Sequence, residues 1–311
     1  MRALICGSMA YDTIMVFRDQ FKKHILPDQI HILNVAFLVP DMRREFGGCA
    51  GNIGYNLKLL GAEPCIMATI GDDGGPYLKR LEDLGISARH VTNVAGTFTA
   101  QAFITTDIDD NQITAFHPGA MSESHRNHVA DAEGIAVGIV SPDGRDGMLQ
   151  HAEEFHRAGI PFIFDPGQGL PMFGGDELRH FIELASVVTV NDYEARMLEE
   201  KVGATFASFA APDKVLVMTQ GGDGSVIHAG GERIEMAAVA PDAIVDPTGC
   251  GDAYRAGLLY GIGQQWHWRK TGRLASLLGS LKIAHRGGQN HRPARDEIAT
   301  RFRAAFDEDL W

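Results

Sequence analysis

Short apolar runs alternate with amphipathic segments along most of this chain, and that rhythm restricts the fold more than any other feature of the sequence. Apolar runs at 3–6, 66–70, 135–140, 162–164, 187–190 and 215–219 have the length of strands, and amphipathic stretches at 53–60, 77–84, 149–158, 178–185 and 194–201 lie between them. Parallel neighbours in a sheet need crossover helices. The spacing therefore predicts a mostly parallel sheet covered on both faces, a Rossmann-like three-layer α/β sandwich.

Two stretches, 12–46 and 97–116, break the rhythm. Residues 98–106 and 112–116 have the pattern of a hairpin turned at Asp109, Asp110 and Asn111. A small separate β-sheet lid is expected from about 12–46 and 97–118, placed to keep water from a site on the main sheet. Beyond 219 the pattern predicts two antiparallel strands around 225–229 and 232–236, then helices over 250–263 and 273–285. No internal repeat or low-complexity linker interrupts the 311 residues, so a single domain over 1–311 carrying the lid is expected.

The formal charge of −12 disfavours nucleic acid or an anionic membrane surface as a partner. An acidic protein that binds a nucleotide must gather positive potential locally, from helix N-termini and backbone amides. The four cysteines, at 6, 49, 65 and 250, have no C-x-x-C spacing and sit in apolar or glycine-rich runs, as reduced, buried thiols do. The opening residues read as a strand rather than a signal segment, and no apolar run has membrane-span length. A cytoplasmic location is expected. The pairs His125 and His128, and His151 and His156, lack carboxylates at metal-site spacing and are assigned to the surface.

The most informative stretch is Val245-Asp-Pro-Thr-Gly-Cys-Gly-Asp252-Ala-Tyr-Arg, a glycine-containing turn running into an apolar helix. Gly249, Cys250 and Gly251 are expected to present unpaired N–H groups at that helix N-terminus, where dipole and donors together hold a phosphoryl group. Asp252 is placed to take the proton of an attacking hydroxyl. A second glycine-rich turn, Gly47-Gly48-Cys-Ala-Gly-Asn52, also opens a helix, with Asn52 suited to a vicinal diol such as ribose. Asp12 follows the first strand at the edge where ligands of open α/β sheets gather, with Ser8 nearby; a turn residue is the alternative. Asn191 and Glu194 lie one helical turn apart after a strand, suited to phosphate and to hydrated Mg2+ respectively, or to a plain helix cap. Thr219 with Gly221, Gly222 and Gly224 forms a turn that lets backbone approach a nucleotide, and the 285–291 stretch, with Gly288 and Asn290, is a candidate wall for adenine. The chain contains neither a P-loop nor a dinucleotide fingerprint.

Together these segments resemble the PfkB, or ribokinase-like, carbohydrate kinase family, whose signature Asp-Thr-x-Gly-Ala-Gly-Asp stands here as Asp246-Pro-Thr-Gly-Cys-Gly-Asp252. The Gly47-Gly48 to Asn52 run is similar to the family's N-terminal signature, and Asn191 to Glu194 to its N-x-x-E motif. Pro247 and Cys250 depart from the family pattern. The resemblance implies a ribokinase-like fold, ATP as phosphoryl donor with Mg2+, and a monovalent cation, K+, beside a turn where Pro247 has lost a hydroxyl and an N–H. Within the family, bacterial adenosine kinases are the most similar, through Phe37-Leu-Val, Phe116-His-Pro-Gly, Asp165-Pro-Gly-Gln168 and Asn191-Asp-Tyr-Glu. That likeness implies transfer to the 5′-hydroxyl of adenosine, with ribose on Asp12, Gly48 and Asn52, adenine on Phe37 and Phe116, and Gln168 lining the site. Phe37 and Phe116 serve equally well as lid core. A sugar kinase for ribose or fructose, a kinase for another nucleoside, and a non-catalytic nucleoside-binding protein are the competing readings. Exposed lid edges would favour a homodimer through the lid.

Overall fold

The computed structural model describes residues 1–25, 34–109 and 111–311. Asp110, at the expected hairpin turn, and residues 26–33, within the first lid stretch, lie outside the described residues. Nine strands form the main sheet: β1 (Arg2–Cys6), β4 (Glu63–Ile70), β5 (Ser87–Asn93), β8 (Val137–Val140), β9 (Phe162–Phe164), β10 (Val187–Asn191), β11 (Val215–Thr219), β12 (Ser225–Ala229) and β13 (Glu232–Met236). Their order is β13-β12-β11-β10-β9-β8-β1-β4-β5. All pairings are parallel except β11–β12 and β12–β13.

Alternation along each strand divides the core into two layers. Ala3 and Ile5 of β1, with Ile66, Ala68 and Ile70 of β4, face one apolar cluster with α1 (Cys49–Leu59), α2 (Gly75–Asp83), α6 (Cys250–Gly263), α7 (Trp268–Ile283) and α8 (Arg295–Phe306). Leu4 and Cys6, with Met67, Val188 and Val190, face the other, packed by α3 (Arg145–Arg157), α4 (Gly175–Leu184) and α5 (Asp192–Val202). Side chains alternate faces in a strand, so parallel strands buried on both sides must be apolar throughout. These are the three layers expected from the sequence. Strand β5 and helix α8 were not foreseen, because their exposed faces dilute the apolar period.

The lid is a four-stranded sheet in the order β3-β2-β6-β7, from β2 (Ala10–Val16), β3 (Asp41–Gly47), β6 (Ala100–Thr106) and β7 (Gln112–His117). Its register puts Asp12 opposite Glu45 on β3 and Ala102 on β6, and Ala102 opposite Phe116 on β7. Asp12, Glu45 and Phe116 therefore share one face, while Met42, Phe103 and Ile113 share the other. On the main sheet the chain moves one way from β1 through β4 to β5, then returns to β8 on β1's other side. A switch of direction opens a crevice beyond the strand ends. There Ser8 donates its N–H to the Pro142 carbonyl at 3.0 Å. Two of the four cysteines, Cys49 and Cys250, are only half-buried, and all four are free thiols. His151 is not a surface residue as expected: it is 1% exposed, its Nε2 3.0 Å from the Asn127 carbonyl oxygen. His128 does have a carboxylate neighbour, Glu154, at 2.8 Å, brought from a distant helix.

Candidate active site

Two helix N-termini meet at the crevice. Gly48 opens α1 at φ +82°, and a Cβ there would sit 2.6 Å from both the Ser8 carbonyl oxygen and the Ala10 nitrogen, so only glycine fits. Ser8 is occupied by this turn: its hydroxyl accepts from the Cys49 N–H at 3.2 Å and its carbonyl from the Ala50 N–H at 2.9 Å. Asp12 lies on lid strand β2 rather than in a turn, and its carboxylate leans over Gly47, where any side chain would run into it.

The second helix, α6, starts behind Gly249, whose φ of +79° and ψ of 4° place it in the left-handed region. A Cβ on Gly249 would lie 3.1 Å from the Gly288 Cα, so the turn is packed directly against the 285–288 loop. One expectation needs correction here. The Cys250 N–H is not free, because it donates to the Pro247 carbonyl at 3.1 Å and closes the turn. Among the described residues, the N–H groups of Gly249, Gly251 and Asp252 are those at this end without a protein acceptor. They point an uncompensated positive dipole end at the crevice.

Asp252 joins the two helices. Its Oδ2 accepts from Asn52 Nδ2 at 2.8 Å, and Asn52 Oδ1 in turn accepts from Gln289 Nε2 at 3.2 Å. Gln289 also donates to the Tyr77 hydroxyl, which donates to the Gly47 carbonyl. Burial raises the Asp252 carboxyl to about 6, opposed by the Asn52 hydrogen bond and reinforced by Asp165. Asp12 also rises to about 6, through burial and then the negative charges of Asp252, Asp246 and Glu45. Like charges converging in one crevice disfavour ionising both. Such a carboxylate is poised to take a proton near neutral pH.

The residues expected on the nucleotide side fall at the carboxyl ends of neighbouring strands. Asn191 and Glu194 form a reciprocal capping box, Asn191 Oδ1 accepting from the Glu194 N–H at 2.7 Å and Glu194 Oε2 from the Asn191 N–H at 2.8 Å. Glu194 is largely buried and stands 4.0 Å from the Arg255 guanidinium. Thr219 pairs with Asn191 across β10 and β11. Gly221 and Gly222 border open space, whereas Gly224 is needed by the fold, because a Cβ there would collide with the Met236 carbonyl. Gly288 lies against Asn52 and Gly249 rather than out on a wall of its own, and Asn290 Nδ2 donates to Glu45 of the lid at 2.8 Å. Gln168 is exposed in the loop after β9. Phe37 packs with Phe17 and Phe21, their ring centroids 4.9 and 5.0 Å away, in a lid-core cluster. Phe116 is 52% exposed on the same lid face as Asp12, two strands away, or about 10 Å.

No group of three metal-ligating side chains occurs among the described residues. Mg2+ keeps most of its waters and takes one or two carboxylates beside substrate phosphates, so Glu194, with Oε1 free of the capping box, fits that ion. A monovalent cation needs carbonyl oxygens, and beside the 246–251 turn the Asp246 carbonyl is held by the Lys282 ammonium at 2.6 Å.

Sequence reasoning missed several residues that shape this site. Arg255 makes a two-pronged ion pair with Asp165, both distances 3.0 Å and both side chains about 5–6% exposed. The signal was a lone charge inside the apolar run 253–259. Lys282 was a similar signal near the end of α7. Gln289 and Tyr77 carried none, since Gln289 meets Asn52 and Tyr77 across more than two hundred residues of sequence.

A nucleoside kinase from Methanothermobacter thermautotrophicus is 30% identical over 300 residues, which cover 95% of this chain and 96% of that protein. The structure of a Burkholderia thailandensis nucleoside kinase in complex with inosine is similar at TM-score 0.90 and 52% identity, covering 99% of both chains. Its complex with ADP-inosine matches at TM-score 0.88 and 54% identity, over 99% of this chain and 97% of that one. Ribokinase from Thermotoga maritima, 18% identical, shares the fold at TM-score 0.82 over 97% of this chain and 98% of its own. Residues 9–295 match the pfkB family of carbohydrate kinases, and the chain belongs to that family.

Proposed function

We propose that this chain is an ATP-dependent nucleoside kinase that transfers the γ-phosphoryl group to the 5′-hydroxyl of a purine nucleoside, adenosine being the acceptor favoured by the sequence. One observation carries the reading: Asp252 is hydrogen-bonded to Asn52, raised toward neutrality, and set beside the unpaired amides that open α6. The ribose hydroxyls would bring donors to Asp12 and a donor–acceptor pair to Asn52, relieving the mutual repulsion of the carboxylates. Asp252 then takes the proton of the 5′-hydroxyl as its oxygen attacks in line. The amides of Gly249 and Gly251 meet the charge that spreads over the transferring phosphoryl. ATP would lie along the ends of β10 and β11, over Thr219, Gly221 and Gly222. Glu194 would hold hydrated Mg2+, and the ion would supply positive charge that offsets that of the phosphates.

The base has a supporting surface in Phe116, which shares the lid face of Asp12; stacking on an aromatic ring is worth about 1–3 kcal/mol per base. The structural relative from Burkholderia thailandensis was solved with inosine, so inosine is the comparison that matters most for adenosine. The test is ADP release from ATP with adenosine, inosine, other nucleosides, ribose and fructose as acceptors. Turnover on purine nucleosides well above that on the free sugars is expected. Preference for ribose or fructose, or nucleoside binding with no ADP formed, overturns the reading.

A further inference from the structure

Lys282 is wholly buried at the last turn of α7, where a side chain of this type is almost never found unless its charge is met. Its Nζ donates to two backbone carbonyls, Asp246 at 2.6 Å and His285 at 2.9 Å. Those carbonyls belong to different loops. Asp246 begins the turn that aims Gly249, Gly251 and Asp252, and His285 lies in the loop that follows α7. The same two loops meet through the Asp246 carboxylate, which accepts from the Gly287 N–H at 2.8 Å and the Thr248 N–H at 2.9 Å. The N–H groups of Val245 and Asp246 both reach the Ile283 carbonyl, at 2.9 and 3.1 Å.

An ammonium is a compact unit charge, and here it is dehydrated by carbonyl oxygens, the ligands that also replace the water shell of K+. The carbonyl end of α7 adds a favourable dipole. A free ion in this place would be exchangeable, whereas a lysine holds it by four methylene carbons. We propose that Lys282 is a tethered substitute for a monovalent cation: a positioning residue whose charge clamps the 246–251 turn to the 285–288 loop, so that the enzyme works without added K+. The inference rests on the kinase reading of the same turn. It deepens that reading by naming what sets the geometry of the anion-binding amides.

The experiment has three arms. Wild-type turnover is compared in tetramethylammonium buffer and in saturating KCl, and no change is expected. Lys282→Ala and Lys282→Met are assayed for ADP affinity by calorimetry, for melting temperature, and for kcat and KM. Loss of the clamp should weaken ADP binding and lower kcat by on the order of tenfold to a hundredfold, the scale of a misplaced catalytic group, with nucleoside KM little changed. In Lys282→Ala, where a cavity remains, methylammonium, ammonium or K+ should restore ADP affinity and kcat, while wild type stays indifferent. Strong activation of the wild type by K+ overturns the proposal. So do variants that bind ADP and turn over like wild type, or a folded Lys282→Ala that no cation restores. If neither variant folds, the wild-type response to K+ still decides. Failure of the kinase reading would show separately, as a wild type that phosphorylates nothing while its ADP affinity still depends on Lys282.

Discussion

The Asp252→Asn substitution separates what the carboxylate costs the fold from what it does for the reaction. Its folded value of about 6 stands roughly two units above the ordinary 3.8. At about 1.4 kcal/mol per unit, ionising it in the folded protein costs at most about 3 kcal/mol, and partial contact with solvent brings this to about 1–2 kcal/mol. The sign follows from linkage. A carboxylate with a raised folded value stabilises the fold below its unfolded value, and that contribution is lost as pH rises through about 6. Asparagine never ionises and can still accept from Asn52. The variant should therefore melt above wild type by about 1–4 °C near pH 8, with the difference closing near pH 4. Turnover should move oppositely, with kcat lower by about a hundredfold or more while nucleoside binding persists. Differential scanning fluorimetry across pH, calorimetric binding and a coupled ADP assay measure the three quantities. Turnover close to wild type would refute the proton-accepting role, and a melting difference indifferent to pH would refute the electrostatics. In wild type, kcat/KM should rise with pH through about 6 as the base ionises.

Asp12→Asn should raise the nucleoside KM by about tenfold or more, the loss of a charge-assisted hydrogen bond worth about 1.5–3 kcal/mol, with a smaller change in kcat; steady-state kinetics would show it. Arg255→Met leaves Asp165 buried and unpaired and should destabilise the protein by about 3–5 kcal/mol, read from urea unfolding. Gly48→Ala forces a methyl group to within 2.6 Å of the Ser8 carbonyl oxygen at a positive φ, so expression or melting temperature should fall sharply, whereas Gly222→Ala, in open space, should fold normally. A homodimer through the lid would cover Met42, Phe103 and Ile113, which are 71, 39 and 43% exposed; sedimentation should report a dimer that a Phe103→Asp substitution dissociates.

The layers, the lid and the two glycine-opened helices could be read from sequence because each depends on near neighbours in the chain. Apolar runs must be buried on both faces of a parallel sheet, and Gly48 and Gly249 mark turns no other residue makes without strain. Asp252 was legible for the same reason: it stands in the first turn of a helix whose opening is written in seven consecutive residues. What the linear order hides is pairing at a distance. The bond from Asn52 to Asp252, the Arg255 ion pair with Asp165, and the chain from Gln289 to Tyr77 to Gly47 exist only once the helices pack across the sheet. Tertiary packing also buried His151 and brought Lys282 under the turn that carries Asp252. Periodicity and local backbone geometry are short-range quantities, while desolvation and charge pairing depend on everything that surrounds a group. Residue types alone could suggest which chemistry was present; how strongly each charge is held was decided by its neighbours in space.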